Sequence, residues 1–150
     1  MARVWGLGKG TFGLAALGMA CATVAMAGIF GKVAWAPAMN GVVVKDGRPV
    51  PDARVKRIVR GPGGQEAFDL VTGSDGRFSF PAVDGKRGLP LTTFGSGEEV
   101  EITVAGTSYL GWVDSESRIV DAGSLPALDL ACELADADRS DPLKVLCRKR

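Results

Sequence analysis

No stretch beyond residue 40 shows apolar residues at helical spacing over an adequate length, which argues against a helical domain. The chain there consists of short apolar or alternating runs separated by turns rich in Gly, Pro and Asp. The segment Glu99–Val104 alternates regularly and so places its three aliphatic side chains on one side of a strand. Asp46-Gly47 follows a β-branched run and is typical of a hairpin turn. Together these patterns predict an all-β, antiparallel β-sandwich.

The same patterns locate the predicted strands and loops. Strands are predicted near residues 42–44, 53–59, 67–72, 77–80, 99–104, 107–113 and 128–134. Two glycine-rich stretches, 61–66 and 84–97, are predicted as loops. Because binding residues concentrate on loops and on exposed strand edges, we expect these loops and the edge strands to contact a partner.

The strand near residues 53–59 carries the densest cluster of positive charge. Alternation points Ala53, Val55 and Arg57 to one face and Arg54 and Lys56 to the other. The pattern changes at residues 58–59, which suggests a bulge or the end of the strand.

The basic side chains of this segment form a modest positive stripe, and they are our first candidates for contact with a partner: Arg54, Lys56, Arg57 and Arg60. The alternative is a solvated edge that resists aggregation between strands.

Tyr109 and Trp112 lie three positions apart in another predicted strand. We expect one of them to face the core. An exposed aromatic ring at the other position would anchor an interface, so both are candidate partner-binding residues.

The N-terminal segment has the composition of an export signal. Residues 10–31 contain no charged side chain, Arg3 and Lys9 precede them, and Ala25-Met26-Ala27 provides a small residue on each side of Met26. Residues 1–27 are therefore predicted to be a cleaved signal peptide. A retained membrane anchor is the alternative, because 22 uncharged residues can span a hydrocarbon core of about 30 Å.

This segment has two other interpretations. Translation starting at Met26 would remove most of the apolar run and leave the domain in the cytoplasm. A lipoprotein signal at Cys21 is disfavoured, since Leu17 lies one position too far away and the chain stays apolar beyond the cysteine.

Cys132 and Cys147 enclose residues 133–146 and form an even pair once Cys21 is removed with a signal peptide. In an oxidising compartment we expect a disulfide between them, which would tie the C-terminal segment to a strand ending near Glu133. The alternative is two reduced cysteines. A zinc site is disfavoured, because two cysteines without histidine cannot supply four protein ligands.

Composition excludes several classes of function. With 18 basic and 17 acidic residues the net charge is +1, which argues against a nucleic-acid partner. The chain has no histidine, so mechanisms that need an imidazole are excluded. Its carboxylate pairs are interpreted as solvated turn residues. We therefore predict no enzyme activity, no catalytic residue, no metal and no cofactor.

Three blocks in order carry a family resemblance: residues 40–44, residues 46–55 and residues 72–80. They resemble the carboxypeptidase regulatory-like domain, whose pattern runs G-x-V, G-x-P-V-x-x-A-x-V and T-x-x-D-G-x-F-x-F. The resemblance implies a transthyretin-like (prealbumin-type, immunoglobulin-like) β-sandwich. Over residues 28–147 the chain also resembles a group of small uncharacterised bacterial proteins, and this brings no activity with it.

The predicted organisation is a hydrophobic helix in residues 1–27, a linker over 28–39 and a β-sandwich over 40–147. We expect a non-enzymatic protein of the periplasm or cell envelope that binds a protein or another macromolecule, with possible membrane association through residues 10–31. Two alternatives are a membrane-anchored accessory subunit of a larger envelope complex, and an immunity-type protein that neutralises a secreted toxin.

Overall fold

The computed structural model describes residues 32–62, 64–86, 96–115, 123–137 and 144–150. Within these ranges the protein is all-β, and the one helical element there is a single turn of 3₁₀ helix, Leu134–Asp136. The strands are β1 Lys32–Ala36, β2 Met39–Lys45, β3 Arg48–Pro49, β4 Arg54–Gly61, β5 Gly64–Val71, β6 Arg77–Phe80, β7 Val83–Lys86, β8 Gly97–Val104, β9 Thr107–Asp114, β10 Leu128–Glu133 and β11 Cys147–Lys149.

One sheet, which we call the disulfide sheet, has the strand order β11-β10-β2, with β3 and β6 on the far side of β2. The backbone N–H of Val43 donates to the Gly76 carbonyl (2.8 Å), and the Val43 carbonyl accepts from Val50 N–H (3.0 Å). Since both groups of one strand residue point to the same side, β3 and β6 share one edge of β2. The predicted Asp46-Gly47 hairpin turn is present, with φ of 52° and 71°.

The second sheet, which we call the hairpin sheet, has the order β5-β4-β8-β9. It consists of two hairpins, β4–β5 and β8–β9, joined by antiparallel pairing of β4 with β8. The pairing of β4 shows no register shift against either neighbour, so the bulge suggested at residues 58–59 is absent. A bulge does occur in β9, where Gly111 is the extra residue between Leu110 and Trp112.

The two sheets face each other across one buried cluster of side chains. Val43 and Phe80 from the disulfide sheet and Val55 and Ile102 from the hairpin sheet belong to it. Burial of this kind contributes about 1.5–3 kcal/mol for each large apolar side chain. Phe78 and Phe80 alternate along β6, and both are buried in this cluster.

A smaller cluster lies under the two-stranded ribbon of β1 and β7. Its largest member is Trp35, whose indole lies against the backbones of Gly61 and Gly85 so closely that a Cβ atom at either glycine would collide with the ring. The ribbon therefore requires glycine at these two positions, where the strands β4 and β7 approach the indole.

The motif residues that carry the family resemblance have structural roles. The Thr72 hydroxyl is buried; it accepts from Ala53 N–H (3.0 Å) and donates to the Val50 carbonyl (2.7 Å). Gly76 has a φ of 72°, and a Cβ atom there would lie 2.5 Å from the Val43 carbonyl oxygen. Both residues hold the chain where it passes between the two sheets.

Three predictions require correction or lie beyond the described ranges. The predicted linker 28–39 contains strand β1, because Val33 and Trp35 bury their side chains in the smaller cluster. The pairing is not wholly antiparallel, since β10 runs parallel to β2. The predicted N-terminal hydrophobic helix, with the signal or anchor at 1–27, lies outside the described residues. Within those residues, none of the helical structure reaches the length and apolarity that a membrane span requires.

Candidate interaction surface

The basic cluster of β4 is divided between the two faces of the hairpin sheet. Arg54, Lys56 and Arg60 project from the outer face, whereas Arg57 is completely buried with 0% of its surface exposed. Uninterrupted alternation along β4 produces this division. Arg57 is therefore removed from the candidates for surface contact with a partner, and the other three remain.

Acidic side chains neutralise the outer basic residues. Arg54 Nε lies 2.7 Å from Asp69 Oδ1, and Arg60 Nη1 lies 3.4 Å from Glu99 Oε2. Lys56 is in register with Asp69 on β5 and Glu101 on β8. The hydrogen bond from Arg54 lowers the pKa of Asp69, so this carboxylate stays charged and matched to the arginine. The outer face thus presents paired charges of both signs instead of a positive stripe.

The buried Arg57 forms the most connected side-chain network in the described residues. Its Nε and Nη2 donate to Glu98 Oε2 at 3.0 and 2.6 Å, and Glu98 is itself only 5% exposed. Two further donations go to the carbonyls of Pro81 (2.9 Å) and Pro37 (2.7 Å). The guanidinium also lies 5.8 Å from the centre of the Phe80 ring. Arg57 thereby connects the hairpin sheet to the segments that flank β1 and β6.

Alternation along β4 already pointed Arg57 to the same side as Ala53 and Val55. The signal for its burial was therefore present in the sequence. The alternation does not identify its partner, because Glu98 lies 41 residues away in the sequence. Glu98 also shares its strand with the regularly alternating apolar residues of β8, so nothing nearby marks it as the partner of an arginine.

Tyr109 and Trp112 lie on the same face of β9, which differs from the expected division between core and surface. They pair with Ile102 and Val100 respectively. Residues three positions apart normally point to opposite faces of a strand, but the extra residue Gly111 in the bulge brings both side chains to the same face. Both rings are half-buried and pack against the main cluster. Lys149 Nζ lies 5.3 Å from the centre of the Trp112 ring, so the C-terminal strand partly covers this side chain.

The two edges of the hairpin sheet differ in their exposure. Along β9, the backbone N–H of Leu146 donates to the Leu110 carbonyl (3.1 Å), so the C-terminal segment covers that edge at Leu110. Along β5, the only described strand that pairs is β4. Just beyond β5, the N–H of Thr72 donates to the Ala53 carbonyl, and its C=O accepts from Asp52 N–H. Because successive residues of a strand point their backbone groups to opposite sides, these bonds show which residues of β5 point towards β4.

This alternation identifies the free backbone groups of β5. They belong to the residues whose N–H and C=O point away from β4: Gln65, Ala67, Asp69 and Val71.

The β5 edge has few of the features by which β-proteins protect their free edges, its charged residues being Glu66 and Asp69. It is eight residues long, pairs with β4 without any register shift, and contains neither proline nor lysine. Val71 at its end is 63% exposed, the highest value for a large hydrophobic side chain among the described residues. A long, regular edge of this kind is a ready template for another strand.

The predicted loops have different outcomes. Within 61–66, Gly61 ends β4, residues 64–66 begin β5, and Gly61 is paired with Gly64, while residue 63 lies outside the described residues. Within 84–97, residues 84–86 belong to β7 and residue 97 begins β8, while 87–95 lie outside the described residues. In the described part of the chain, no group of three or more Cys, Asp or Glu side chains is arranged to hold a metal ion.

Comparison with known proteins gives one match. A family model described as a domain of unknown function (DUF6795) matches residues 39–137, which include all strands from β2 to β10. No curated protein and no solved structure matches the chain.

Proposed function

The chain belongs to the DUF6795 family, a domain family of unknown function, and from this starting point we propose that it is a non-enzymatic binding protein of the cell envelope. Its β5 edge adds a strand from a protein partner to the hairpin sheet. The observation that carries the proposal is the eight-residue, regularly paired and open edge of β5.

Strand addition follows from the direction of the free backbone groups. Gln65, Ala67, Asp69 and Val71 point their N–H and C=O groups away from β4. An extended segment lying beside β5 satisfies these groups with main-chain hydrogen bonds, which supply affinity, while its alternate side chains supply specificity. The opposite edge of the sheet is covered at Leu110 by the C-terminal segment.

The charge of β5 indicates which strand fits. β5 carries Glu66 and Asp69 and no basic residue. A second copy of β5 would bring like charges together across the new pairing, which is destabilising. A strand with lysine or arginine beside Glu66, and with apolar residues against the half-buried Phe68 and Leu70, is complementary. The partner is thus a protein with a basic, amphipathic extended segment.

Location in the envelope is supported by the disulfide and by the N-terminal composition. Cys132 and Cys147 are joined by a disulfide bond in the structure. Disulfides persist in oxidising compartments and are rare in the cytosol, which favours export directed by residues 1–27. The prealbumin-type scaffold implied by residues 40–80 suits this role, since such sandwiches host many unrelated binding functions.

The edge can be tested by photo-crosslinking the full chain in its native cells. A photoreactive amino acid at Gln65 should crosslink one protein partner. The same group at Thr107, on the strand at the opposite edge of the sheet, should not. Replacing Ala67 by proline removes an N–H that points away from β4, so the fold is retained and the partner-facing hydrogen bond is lost. Ala67→Val is the matched control, because it keeps that N–H.

We expect Ala67→Pro to abolish the crosslink at Gln65 and Ala67→Val to preserve it, with circular dichroism showing both variants folded. Glu66→Lys provides a second variant. This substitution reverses the charge of an exposed side chain that faces the basic partner, so it should weaken the crosslink at Gln65. A crosslink that persists in Ala67→Pro at wild-type yield would contradict strand addition at β5.

A further inference from the structure

The outer face of the hairpin sheet carries its charges in columns. β4 contributes Arg54, Lys56 and Arg60 to this face, and the neighbouring strand β8 contributes Glu99 and Glu101. None of the described side chains that point to this face is buried, so no described element of the chain packs on it. A column of positive charge thus lies beside a column of negative charge at the middle of an open sheet face.

The two charges nearest the centre of the face are Lys56 and Glu101. They are directly opposite each other in the pairing of β4 with β8, and both are half-buried. Among the described residues neither of them forms an ion pair, whereas the arginines on either side of Lys56 do. The centre of the face therefore presents one cation and one anion that can each still pair with a group of opposite charge.

Apolar side chains form a row next to this central pair. Ile58 on β4 is half-buried and lies opposite Ala67 on β5, which is exposed. In the same row, Val113 on β9 is 46% exposed and is one of the few large hydrophobic side chains in the described residues that face solvent to this extent. Apolar area next to unpaired charges of both signs is suited to contact with another protein surface.

Identical chains associate mostly about two-fold axes, and the charge columns distinguish the possible axes. An axis parallel to the strands, midway between β4 and β8, lays β4 of one copy on β8 of the other. Lys56 of each copy then faces Glu101 of the second copy. An axis perpendicular to the strands would instead lay β4 on β4 and bring like charges together, which is unfavourable. Packed sheets lie about 10 Å apart, a distance that a lysine and a glutamate side chain can bridge together.

We infer that the chain forms a two-fold dimer in which the outer faces of two hairpin sheets pack together about the axis parallel to the strands. Lys56 and Glu101 of both copies alternate in sign around this axis. The two Ile58 side chains are diagonal neighbours across it, and Val113 of each copy lies over Ala67 of the other. The edge of β5 stays open at the side of the dimer, so this contact does not depend on the proposed strand addition.

The size of the face sets the expected strength of the dimer. All four strands are eight residues long. Strands of this length measure about 26 Å, and four of them side by side measure about 20 Å, or roughly 500 Å² for each copy. The two copies together bury about 1,000 Å², which is at the small end of specific interfaces. We therefore expect a dimer that dissociates on dilution in the micromolar range.

Sedimentation velocity of the purified full chain over a range of concentrations tests the inference. Lys56→Glu places carboxylates against each other at the axis and should weaken the dimer by at least about tenfold, and Glu101→Lys should do the same with two cations. The double variant Lys56→Glu with Glu101→Lys restores opposite charges and should restore the dimer. Lys45→Glu is the matched control, because this exposed lysine lies on β2 in the other sheet.

A zero-length carbodiimide crosslink between Lys56 and Glu101 identifies the contact itself. In a mixture of unlabelled and isotopically labelled chain, part of this crosslink should join the two kinds of chain. Circular dichroism shows that each variant is folded. Lys56→Glu should leave the crosslink from Gln65 to a different protein unchanged, so the dimer and the β5 contact can fail separately.

A chain that stays monomeric at every concentration would overturn the inference and would leave this face to solvent or to another protein. A dimer that Lys56→Glu does not weaken, or that the double reversal does not restore, would equally contradict packing about this axis.

Discussion

The disulfide sheet joins strands that are far apart in the sequence, whereas the hairpin sheet is built from two local hairpins. Met39 of β2 is paired with Leu128 of β10, and β11 closes the sheet next to the disulfide. In the hairpin sheet, the long-range connection is the pairing of β4 with β8, and Arg57 and Glu98 form a buried ion pair between these strands. One sheet is thus closed covalently and the other by an internal charge pair.

The difference teaches where each sheet is vulnerable. A covalent bond survives local opening, and its loss depends on reduction. A buried ion pair contributes little net stability while intact, yet removing one partner leaves an uncompensated charge in the core. We therefore expect the hairpin sheet to respond most strongly to a single substitution and the disulfide sheet to respond to the redox state.

The largest effect is expected for Arg57→Ala. Removing the guanidinium leaves Glu98 buried without its ion-pair partner, and breaking such a pair costs about 3–5 kcal/mol. Urea denaturation, followed by circular dichroism, measures this loss as a lower unfolding midpoint. Arg60→Ala on the same strand is the control, since Arg60 is 52% exposed and its pair with Glu99 should contribute less than about 1 kcal/mol.

If Arg57→Ala and Arg60→Ala shifted the midpoint equally, the buried pair would not hold the hairpin sheet. The double variant Arg57→Met with Glu98→Leu sharpens the test, because it removes both charges together. We expect it to recover part of the stability that Arg57→Ala loses. Recovery should be incomplete, because the Pro37 and Pro81 carbonyls lose their donor.

Sequence patterns predicted the local parts of both sheets. The Asp46-Gly47 turn and the alternation over residues 99–104 depend on neighbouring residues, so they could be identified without knowing the rest of the fold. The parallel pairing of β10 with β2 depends on strands 89 positions apart in register, and no local pattern specifies it. Strand β1 was predicted as part of a linker, because its residues directly follow the apolar run that was predicted to be an export signal.

The candidate site was predicted in part. The outward direction of Arg54 and Lys56 followed from alternation, but the acidic side chains that neutralise them come from β5 and β8. The bulge that places Tyr109 and Trp112 on one face requires knowledge of the pairing of β9 with β8. The open edge of β5 is a property of the whole sheet, since a strand becomes an edge only when its neighbours are known.

Reduction of the disulfide should have the next largest effect. Opening the link between Cys132 and Cys147 restores the freedom of the enclosed loop in the unfolded chain, which corresponds to about 3 kcal/mol for a loop of this size. Urea unfolding with and without reductant measures the difference without changing a side chain. Cys21→Ser provides the background that prevents disulfide exchange. An unchanged midpoint under reduction, with free thiols confirmed by mass, would contradict covalent closure of this sheet.

Gly111→Ala tests the point at which the two sheets meet. A Cβ atom there would lie 3.1 Å from Ile102 Cδ1 and 3.2 Å from Cys147 Sγ, so the bulge of β9 would press on both sheets. Overpacking of a core costs about 1–3 kcal/mol. Gly97→Ala on β8 is the control, because a Cβ atom there meets only the Asp114 carbonyl at 3.6 Å. Equal unfolding midpoints for the two variants would show that the bulge has room for a methyl group.

The smallest expected effect concerns Glu133, which joins the end of β10 to the hairpin turn of β2 and β3. Its carboxylate accepts from the N–H groups of Ala135 (3.0 Å), Asp46 (3.0 Å) and Gly47 (3.4 Å), and these bonds lower its pKa. Because the folded pKa lies below the unfolded value of about 4.3, this contribution is present at neutral pH and is lost as the pH falls through the lowered pKa.

We expect Glu133→Gln to be less stable than wild type at pH 7, and the difference in stability to become smaller as the pH falls. Unfolding midpoints measured from pH 7 to pH 3 check this, with Glu66→Gln as the exposed control. A gap that stayed constant over that range would mean that the disulfide sheet does not depend on this charge.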